Sequence, residues 1–567
     1  MSASVDTPIL VVGGGPVGLA VAGELGWRGI ACTLVEKTDG TITQPKMDFV
    51  GVRTMEFCRR WGIVPWVHAA GYNRAYPQDC AWVSSLTGFE FGRESFPPCE
   101  DEKPLPQSTY SRGERCPQNF FDPVLRRFAG RYPHVRLRHD VELIDFREDA
   151  DGVTSRLFDH RAGREETIRT AYVIGCDGGA SSVREALGIP MSGSPVLTYT
   201  TNVIFRCPDL EKLHDKKPAY RFIFVGPEGT WATLVAIDGR GCWRFSLVGD
   251  ANQRKPSEAE MREAIARAMG KPFDFEILST MPWVRRQLVA DRYGSRRVFI
   301  AGDAAHLTSP TGGFGMNMGI QDAVDLGWKI AAVLAGWGGP MLLASYELER
   351  RPVATRNVGE ATENLKRMLS TRDSLPSPEV FQPGPTGDRA RRDFGERYTR
   401  LMKREWFTPG IHLGYVYEDS PIIVPDGTSR PPDEVMSYTQ TSRPGSRAPH
   451  VWLGPDRSTL DLFGSGFVLL DFEATSRDRD QLVAAASRMG VPLSHVRLDH
   501  PEARRLYERR LVLVRPDGHV AWRGDAEPDI QEMLHVIDIA RGAGAPTAAS
   551  RQRSAPDYQE TRQRRNA

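Results

Sequence analysis

The chain has 567 residues, 40% of them hydrophobic and 26% charged, a length that calls for two or three domains and a composition ordinary for globular proteins. Lys and Arg together number 73 against 72 for Asp and Glu, so the charge balance points to neither nucleic acid nor an anionic membrane as partner. The apolar Ile9–Trp27 run holds six glycines and Glu24 and lacks a basic lead, which argues against a membrane span and a signal peptide.

The eight cysteines lie between Cys32 and Cys242 with no CxxC pair, and the 12 histidines form no HExxH or HxxxH pair. That pattern reads as scattered reduced thiols in a cytoplasmic protein, with no disulfide framework and no metal site.

In chain order, Ile9–Val12 reads as a buried strand, followed by Gly13, Gly15 and Gly18 in GxGxxG spacing. Val17, Val21 and Leu25 then recur at helical spacing, and Cys32–Val35 reads as a second strand ending at Glu36, 18 residues after Gly18. A tight turn, a close backbone approach and a helix N-terminus suit a pyrophosphate, and an acidic residue at that distance suits a ribose hydroxyl. This is a dinucleotide site in a βαβ unit.

A loop, Lys37–Lys46, leads to a helix that ends near Gly62. Residues 76–110 read as strands and loops leaving the nucleotide-binding layer, and Pro117–Phe128 as a helix returning to it. Val135–Phe146 and Val153–Phe158 read as antiparallel strands. Tyr172–Ile174 runs into Asp177-Gly178-Gly179 and a helix start at Ser181 and Ser182.

Residues 195–290 alternate as an antiparallel sheet does, with Ala259–Met269 as a helix, and form the candidate substrate domain. Val298–Ala301 is a strand ending at Gly302-Asp303; a glycine-rich loop then leads into a long helix whose N-terminal amides suit partial negative charge. Residues 366–445 read as a partly helical linker, 446–545 as a compact α/β unit, and the polar 546–567 tail as disordered.

GGGPVG, GCDGGASSVR and AGDAAHLTSPTGGFGMNMGIQDA, in this order, resemble the class A flavoprotein monooxygenases, the p-hydroxybenzoate hydroxylase and phenol hydroxylase family. The resemblance implies a Rossmann-like FAD-binding domain (1–75, 111–190 and 291–365), an inserted mostly antiparallel substrate domain (76–110 and 191–290) and a C-terminal thioredoxin-like α/β domain. The last has no cysteine, which excludes thiol–disulfide exchange and favours a structural or oligomerising role.

By the same resemblance, Gly13, Gly15, Pro16, Val17 and Gly18 surround the FAD pyrophosphate, and Glu36 and Lys37 meet the adenosine side, with Val141 near the adenine. Lys46 takes the place of an Arg near the flavin, and Gln118 that of a flavin-contacting Gln. Asp177 and Gly178 belong to a motif shared by FAD and nicotinamide. Asp303, Pro310, Gly313, Gly315, Met316 and Asn317 flank the ribityl chain and the flavin.

The implied reaction is hydroxylation of a phenolic or polycyclic aromatic through a C4a-hydroperoxyflavin, with O2 and NADPH or NADH as co-reactants. NAD(P)H docks transiently, since a second GxGxxG is absent. Asp48 is the candidate base for the phenol proton. Trp231, Trp243, Phe245 and Trp283 are candidate substrate contacts, with core packing as the competing role. Arg285 and Arg286 read as surface charges that could instead meet an anionic group.

A homodimer is compatible with the sequence. A flavin-dependent reductase and a non-catalytic binding protein on the same fold remain as alternatives, whereas a halogenase lacks its WxWxIP motif and a serine hydrolase its GxSxG elbow.

Overall fold

A computed structural model describes residues 5–250, 252, 255–473, 479–526 and 529–544; the expected disordered tail lies outside them. The chain forms two compact units. The first comprises residues up to Ala323 together with Ala354–His412 and Val435–Ser437; the second comprises Val324–Val353, Leu413–Glu434 and the residues from Tyr438 on.

The first unit contains a seven-stranded sheet in the spatial order Val135–His139, Cys32–Glu36, Thr7–Val12, Arg164–Gly175, Val153–Asp159, Val141–Glu148, with Val298–Ile300 also paired to Arg164–Gly175. The long strand Arg164–Gly175 pairs in two ways within this sheet. Its first half makes an antiparallel hairpin with Val153–Asp159, and its second half lies parallel to Thr7–Val12 and Val298–Ile300. Ile9, Leu10 and Val11 are buried, as central parallel strands require.

Here the structure corrects one reading. Val135–Phe146 is not a single antiparallel strand, because Asp140 sits at φ 57 and breaks it. Val135–His139 pairs parallel to Cys32–Glu36, and only Val141–Glu148 is antiparallel to its neighbour.

The second sheet of this unit has eight strands, ordered His306–Leu307, Glu276–Ala290, Met191–Arg206, Cys242–Val248, Gly229–Ala236, Arg221–Gly226, Cys80–Val83, Glu90–Glu94. All pairs are antiparallel except Arg221–Gly226 with Cys80–Val83. The helix Glu258–Met269 starts on a Ser257 capping box with Glu260 and buries Met261, Ile265 and Met269 in one core with Trp231, Trp243 and Phe245.

Residues 366–445 are not a linker set apart from the domains. Leu365, Met368, Phe394, Tyr398 and Met402 pack with Trp82, Phe91, Ile223 and Val225, so the end of helix Met341–Asp373 and the helix Pro385–Trp406 cover the second sheet. Helix Met341–Asp373 escaped the sequence reading; its 33 residues include Pro352.

The second unit holds a four-stranded sheet ordered Leu493–Arg497, Phe467–Asp471, Leu511–Val514, Val520–Gly524, of which the first pair is parallel and the rest antiparallel. One sheet face packs on Trp328, Trp337 and Leu342 and on Met533 and Ile537 of helix Ile530–Ala540. That packing explains why 324–353, expected with the nucleotide-binding layer, joins this unit instead. Among the described residues no helix is long and apolar enough to cross a membrane.

Candidate active site

A cavity of about 590 Å³ lies in the first unit, walled by the loops that follow strands of the seven-stranded sheet and by the eight-stranded sheet. Gly15, Pro16 and Val17 come to it from the end of strand Thr7–Val12. The turn before them needs glycine: Gly13 has φ 106, its N–H donates to Val35 O at 2.8 Å, and a Cβ there would stand 2.4 Å from Cys176 O. A Cβ on Gly18 would meet Gly13 O at 1.9 Å, so the helix can sit this close to the turn only without a side chain.

Glu36 closes the turn from below. Its Oε2 accepts from Gly14 N at 2.7 Å and its Oε1 from Thr38 N and Oγ1 at 3.0 and 2.8 Å. Oε2, which accepts only one of these bonds, keeps a second lone pair for a ribose hydroxyl. Lys37 is exposed beside it, and Val141 lines a separate crevice with Arg138 and His139.

The next wall is the glycine-rich loop and the start of helix Gly315–Leu334, with Pro310, Gly313, Gly315 and Met316 on the cavity. Asn317 faces away and ties the wall together. Its Oδ1 accepts from Gly51 N and Thr54 Oγ1, both at 2.7 Å, and its Nδ2 donates to Phe49 O and Gly313 O at 3.0 and 2.8 Å. Beside it, His306 Nε2 and Asp322 Oδ2 are 2.8 Å apart, both buried.

Asp303 opens onto the cavity, yet the protein bulk around it raises its carboxyl above the usual range, with His306 and Lys46 acting the other way. Gln118 lines the cavity at the start of its helix, accepting from Lys46 N at 3.0 Å and donating to Asp122 Oδ2 at 3.0 Å. Gly178 reaches the cavity; the Asp177 carboxylate instead caps the next helix, accepting from Ser181 Oγ, Ser182 Oγ and Val183 N.

The far wall is the eight-stranded sheet. Asn202, Thr233 and Ser246 are in register across three strands and face the cavity, while Val203, Leu234 and Phe245, one residue along, are in register on the core side. Arg244 joins the cavity face, and Arg221, Glu405 and Trp406 complete the wall.

Asp48 stands in this wall between cations. Arg244 Nη2 donates to its Oδ2 at 2.9 Å, Arg115 Nη1 to its Oδ1 at 3.4 Å, and the Tyr220 hydroxyl also bonds it. Burial would raise its carboxyl, but the two guanidiniums and these bonds outweigh it and hold the group below the usual carboxylate range. Burial and the Asp48 charge push the Tyr220 phenol well up, so it stays a hydrogen donor.

Residues 6–361 match the family model described as FAD binding domain, and residues 441–543 match the one described as aromatic-ring hydroxylase, C-terminal. The chain belongs to the FAD-dependent aromatic-ring hydroxylases. A putative polyketide hydroxylase of Streptomyces halstedii is 34% identical over 94% of this chain and 97% of its own. The 2,4-dichlorophenol 6-monooxygenase of Cupriavidus pinatubonensis is 31% identical over 93% and 95%. Among solved structures, the rebeccamycin biosynthetic enzyme RebC, soaked with chromopyrrolic acid and holding 7-carboxy-K252c, superposes with TM-score 0.88 at 40% identity over 96% of this chain and all of that one.

As an FAD-dependent aromatic monooxygenase, the protein must hold the flavin, and its residues fit one. Nothing lies within 4 Å of where a Cβ on Gly15 would stand, which leaves the space a pyrophosphate needs at the N-terminus of helix Pro16–Trp27. The first-turn amides of helix Gly315–Leu334, whose Gly315 and Met316 line the same cavity, would suit a second electron-rich group of the flavin.

The structure overturns part of the substrate reading. Trp231, Trp243 and Phe245 are 5%, 3% and 1% exposed and belong to the core under helix Glu258–Met269, not to the cavity; only Trp283 of the four lines it. Alternation along a strand groups residues by face without saying which face is core. Arg285 is also corrected, from surface charge to a 5% exposed cavity residue. Arg115, Tyr220, Arg244, Glu405 and Trp406 went unread, because they sit on separate elements and carry no local motif.

Proposed function

We propose that this hydroxylase takes reducing equivalents from NADPH or NADH and hydroxylates a phenolic or polycyclic aromatic substrate held between the Gly312–Gly315 loop and the eight-stranded sheet. The observation that carries this reading is one continuous cavity whose lining includes Gly15 and Gly315 together with Trp283, Val235 and the Asp48 cluster. A polyketide hydroxylase and a 2,4-dichlorophenol 6-monooxygenase among the relatives support a phenolic or polycyclic aromatic ring, and the similar RebC holds 7-carboxy-K252c.

Bound FAD would supply the hydride acceptance and the oxygen activation. The chain's part is to hold both reactants and exclude water. Asp48 stays ionised and accepts a hydrogen bond from the substrate hydroxyl, which enriches the ring in electrons; Arg115, Arg244 and Tyr220 fix its orientation. Gln118 and Lys46 order the loop beside the flavin, and Asp177 with Asn317 sets the backbone that touches it. Glu36 takes the ribose, with Lys37 and Val141 on the adenosine side. The eight free cysteines, seven of them buried, support a cytoplasmic protein. The second unit, whose sequence lacks cysteine, is proposed as a thioredoxin-like structural module.

The test is purification with a visible spectrum, then NADH and NADPH oxidation over a panel of phenols, naphthols and larger fused aromatics, with hydroxylated product weighed against peroxide. Product equal to reductant consumed on one ring class is expected. Flavin with peroxide alone across the panel would remove the aromatic assignment.

A further inference from the structure

Among the guanidiniums around the cavity, Arg115 and Arg244 are held by Asp48, and Arg221 donates to Glu405 at 2.8 Å. Arg285 is different. It is 5% exposed and lines the cavity, and among the described residues it bonds only two hydroxyls: Nε to Thr200 Oγ1 at 3.1 Å and Nη1 to Ser309 Oγ at 3.4 Å. No carboxylate among those residues pairs with it. Glu405, the acid whose field reaches it, is already committed to Arg221.

A buried charge without a counterion is costly, and the cost shows in its proton affinity. Burial, with Arg221 and Arg244 nearby, brings the guanidinium down to about 10. The cavity as a whole is lined by seven cationic and four acidic side chains. Arg285 lies on the eight-stranded sheet beside Trp283.

We propose that Arg285 is the receptor for a carboxylate carried by the aromatic substrate, an assignment that rests on the hydroxylase reading and narrows its substrate class. A carboxylate is ionised throughout the neutral range and matches the planar fork of a guanidinium with two parallel hydrogen bonds. Thr200 and Ser309 keep the fork from rotating. Trp283, two residues away on the same strand, offers the ring a flat apolar surface, so one strand supplies both the ionic and the aromatic contact.

The test is a titration of the FAD-loaded protein, read by the perturbation of its visible flavin spectrum, with 3-hydroxy-2-naphthoate and with its methyl ester. The wild type is expected to bind the acid at least about tenfold more tightly than the ester, a preference of the size a buried charge pair provides. Arg285→Gln should abolish that preference by weakening the acid alone, and Arg285→Lys should restore part of it. Retained FAD and an unchanged melting temperature check that each variant folds.

Equal binding of acid and ester by the wild type, binding of neither, or an acid preference that survives in Arg285→Gln overturns the proposal. If Arg285→Gln fails to fold, the wild-type ratio and its fall in Arg285→Lys decide. Turnover is not read here, so a protein that selects the acid but hydroxylates nothing sinks the hydroxylase reading alone. One that hydroxylates neutral phenols without preferring the acid sinks this assignment alone.

Discussion

Asp48 Oδ2 and Arg244 Nη2 stand 2.9 Å apart, joining the loop after Lys46 to the middle of strand Cys242–Val248. The pair fixes a carboxylate at the cavity with its charge kept. Because its proton affinity is depressed below the usual 3.8, the group stays ionised as pH falls through the range where ordinary carboxylates begin to titrate. Asp48→Asn is expected to lower the hydroxylation kcat by about 100-fold, the scale of lost acid–base assistance, while FAD stays bound. Steady-state rates with a flavin absorbance ratio on the same sample check it; unchanged turnover would remove Asp48 from the chemistry.

Asn317 makes four hydrogen bonds from a side chain that is 1% exposed, two of them to Gly51 and Thr54, more than 260 positions earlier. Asn317→Ala leaves the buried Gly51 N–H and Thr54 hydroxyl without this partner, at about 1–3 kcal/mol for each unsatisfied group, and releases the Gly313 carbonyl. The loop at the flavin end should loosen. We expect a lower melting temperature in the FAD-free protein and an FAD dissociation constant raised at least about tenfold, measured by flavin fluorescence titration.

Phe245 and Trp283 separate core from cavity. Phe245→Ala deletes a ring from the core beneath helix Glu258–Met269 and should cost about 3–5 kcal/mol of stability. Trp283→Ala should leave denaturant midpoints close to wild type and raise KM for the aromatic substrate. Chemical denaturation beside substrate kinetics tests the division, and the reverse pattern would put the substrate on the other face of the sheet.

The nucleotide turn was legible because its parts lie within one short stretch, Ile9–Glu36, where strand, glycines, helix and acid follow in order. The other two motifs are equally local. The substrate wall was not. Period-two alternation grouped Trp231 with Trp243 and Phe245, but which side of the sheet helix Glu258–Met269 covers depends on tertiary packing. Arg285 sits in the charged pair Arg285-Arg286, which reads as surface until the strand is placed. Asp140 broke a strand through its own backbone, at φ 57, a conformation that aspartate tolerates better than most residues. Residues Glu405 and Trp406 reach the cavity from a helix whose composition resembles a linker.

The second unit buries an ionic cluster that carries its own pH signature. Lys329 Nζ donates to Asp325 Oδ2 at 2.7 Å and to Glu349 Oε2 at 2.6 Å; Arg515 grips Glu349 at 2.5 and 2.9 Å and Asp517 at 2.6 Å. All five side chains are at most 3% exposed, and three acids face two fixed cations. Burial, with Glu349 and Asp517 adding to it, therefore raises the Asp325 carboxyl to about 8 from an ordinary 3.8. The opposing pull of Arg515 and Lys329 outweighs burial at Glu349 and lowers it to about 2. The signs differ. Between 3.8 and about 8 the folded chain binds more protons at Asp325 than the unfolded chain, so this group's contribution to stability declines as pH rises through that window. Glu349 contributes stability that is present above its ordinary 4.5 and lost as pH falls toward about 2. Asp325→Asn should flatten the fall in the melting temperature of the second unit between about pH 5 and 8, followed by calorimetry of the full chain. Glu349→Gln should instead destabilise that unit by about 3–5 kcal/mol near neutral pH, because it leaves Arg515 and Lys329 buried beside a neutral amide. Parallel pH profiles for wild type and Asp325→Asn would show that the excess charge is relieved elsewhere in the unit.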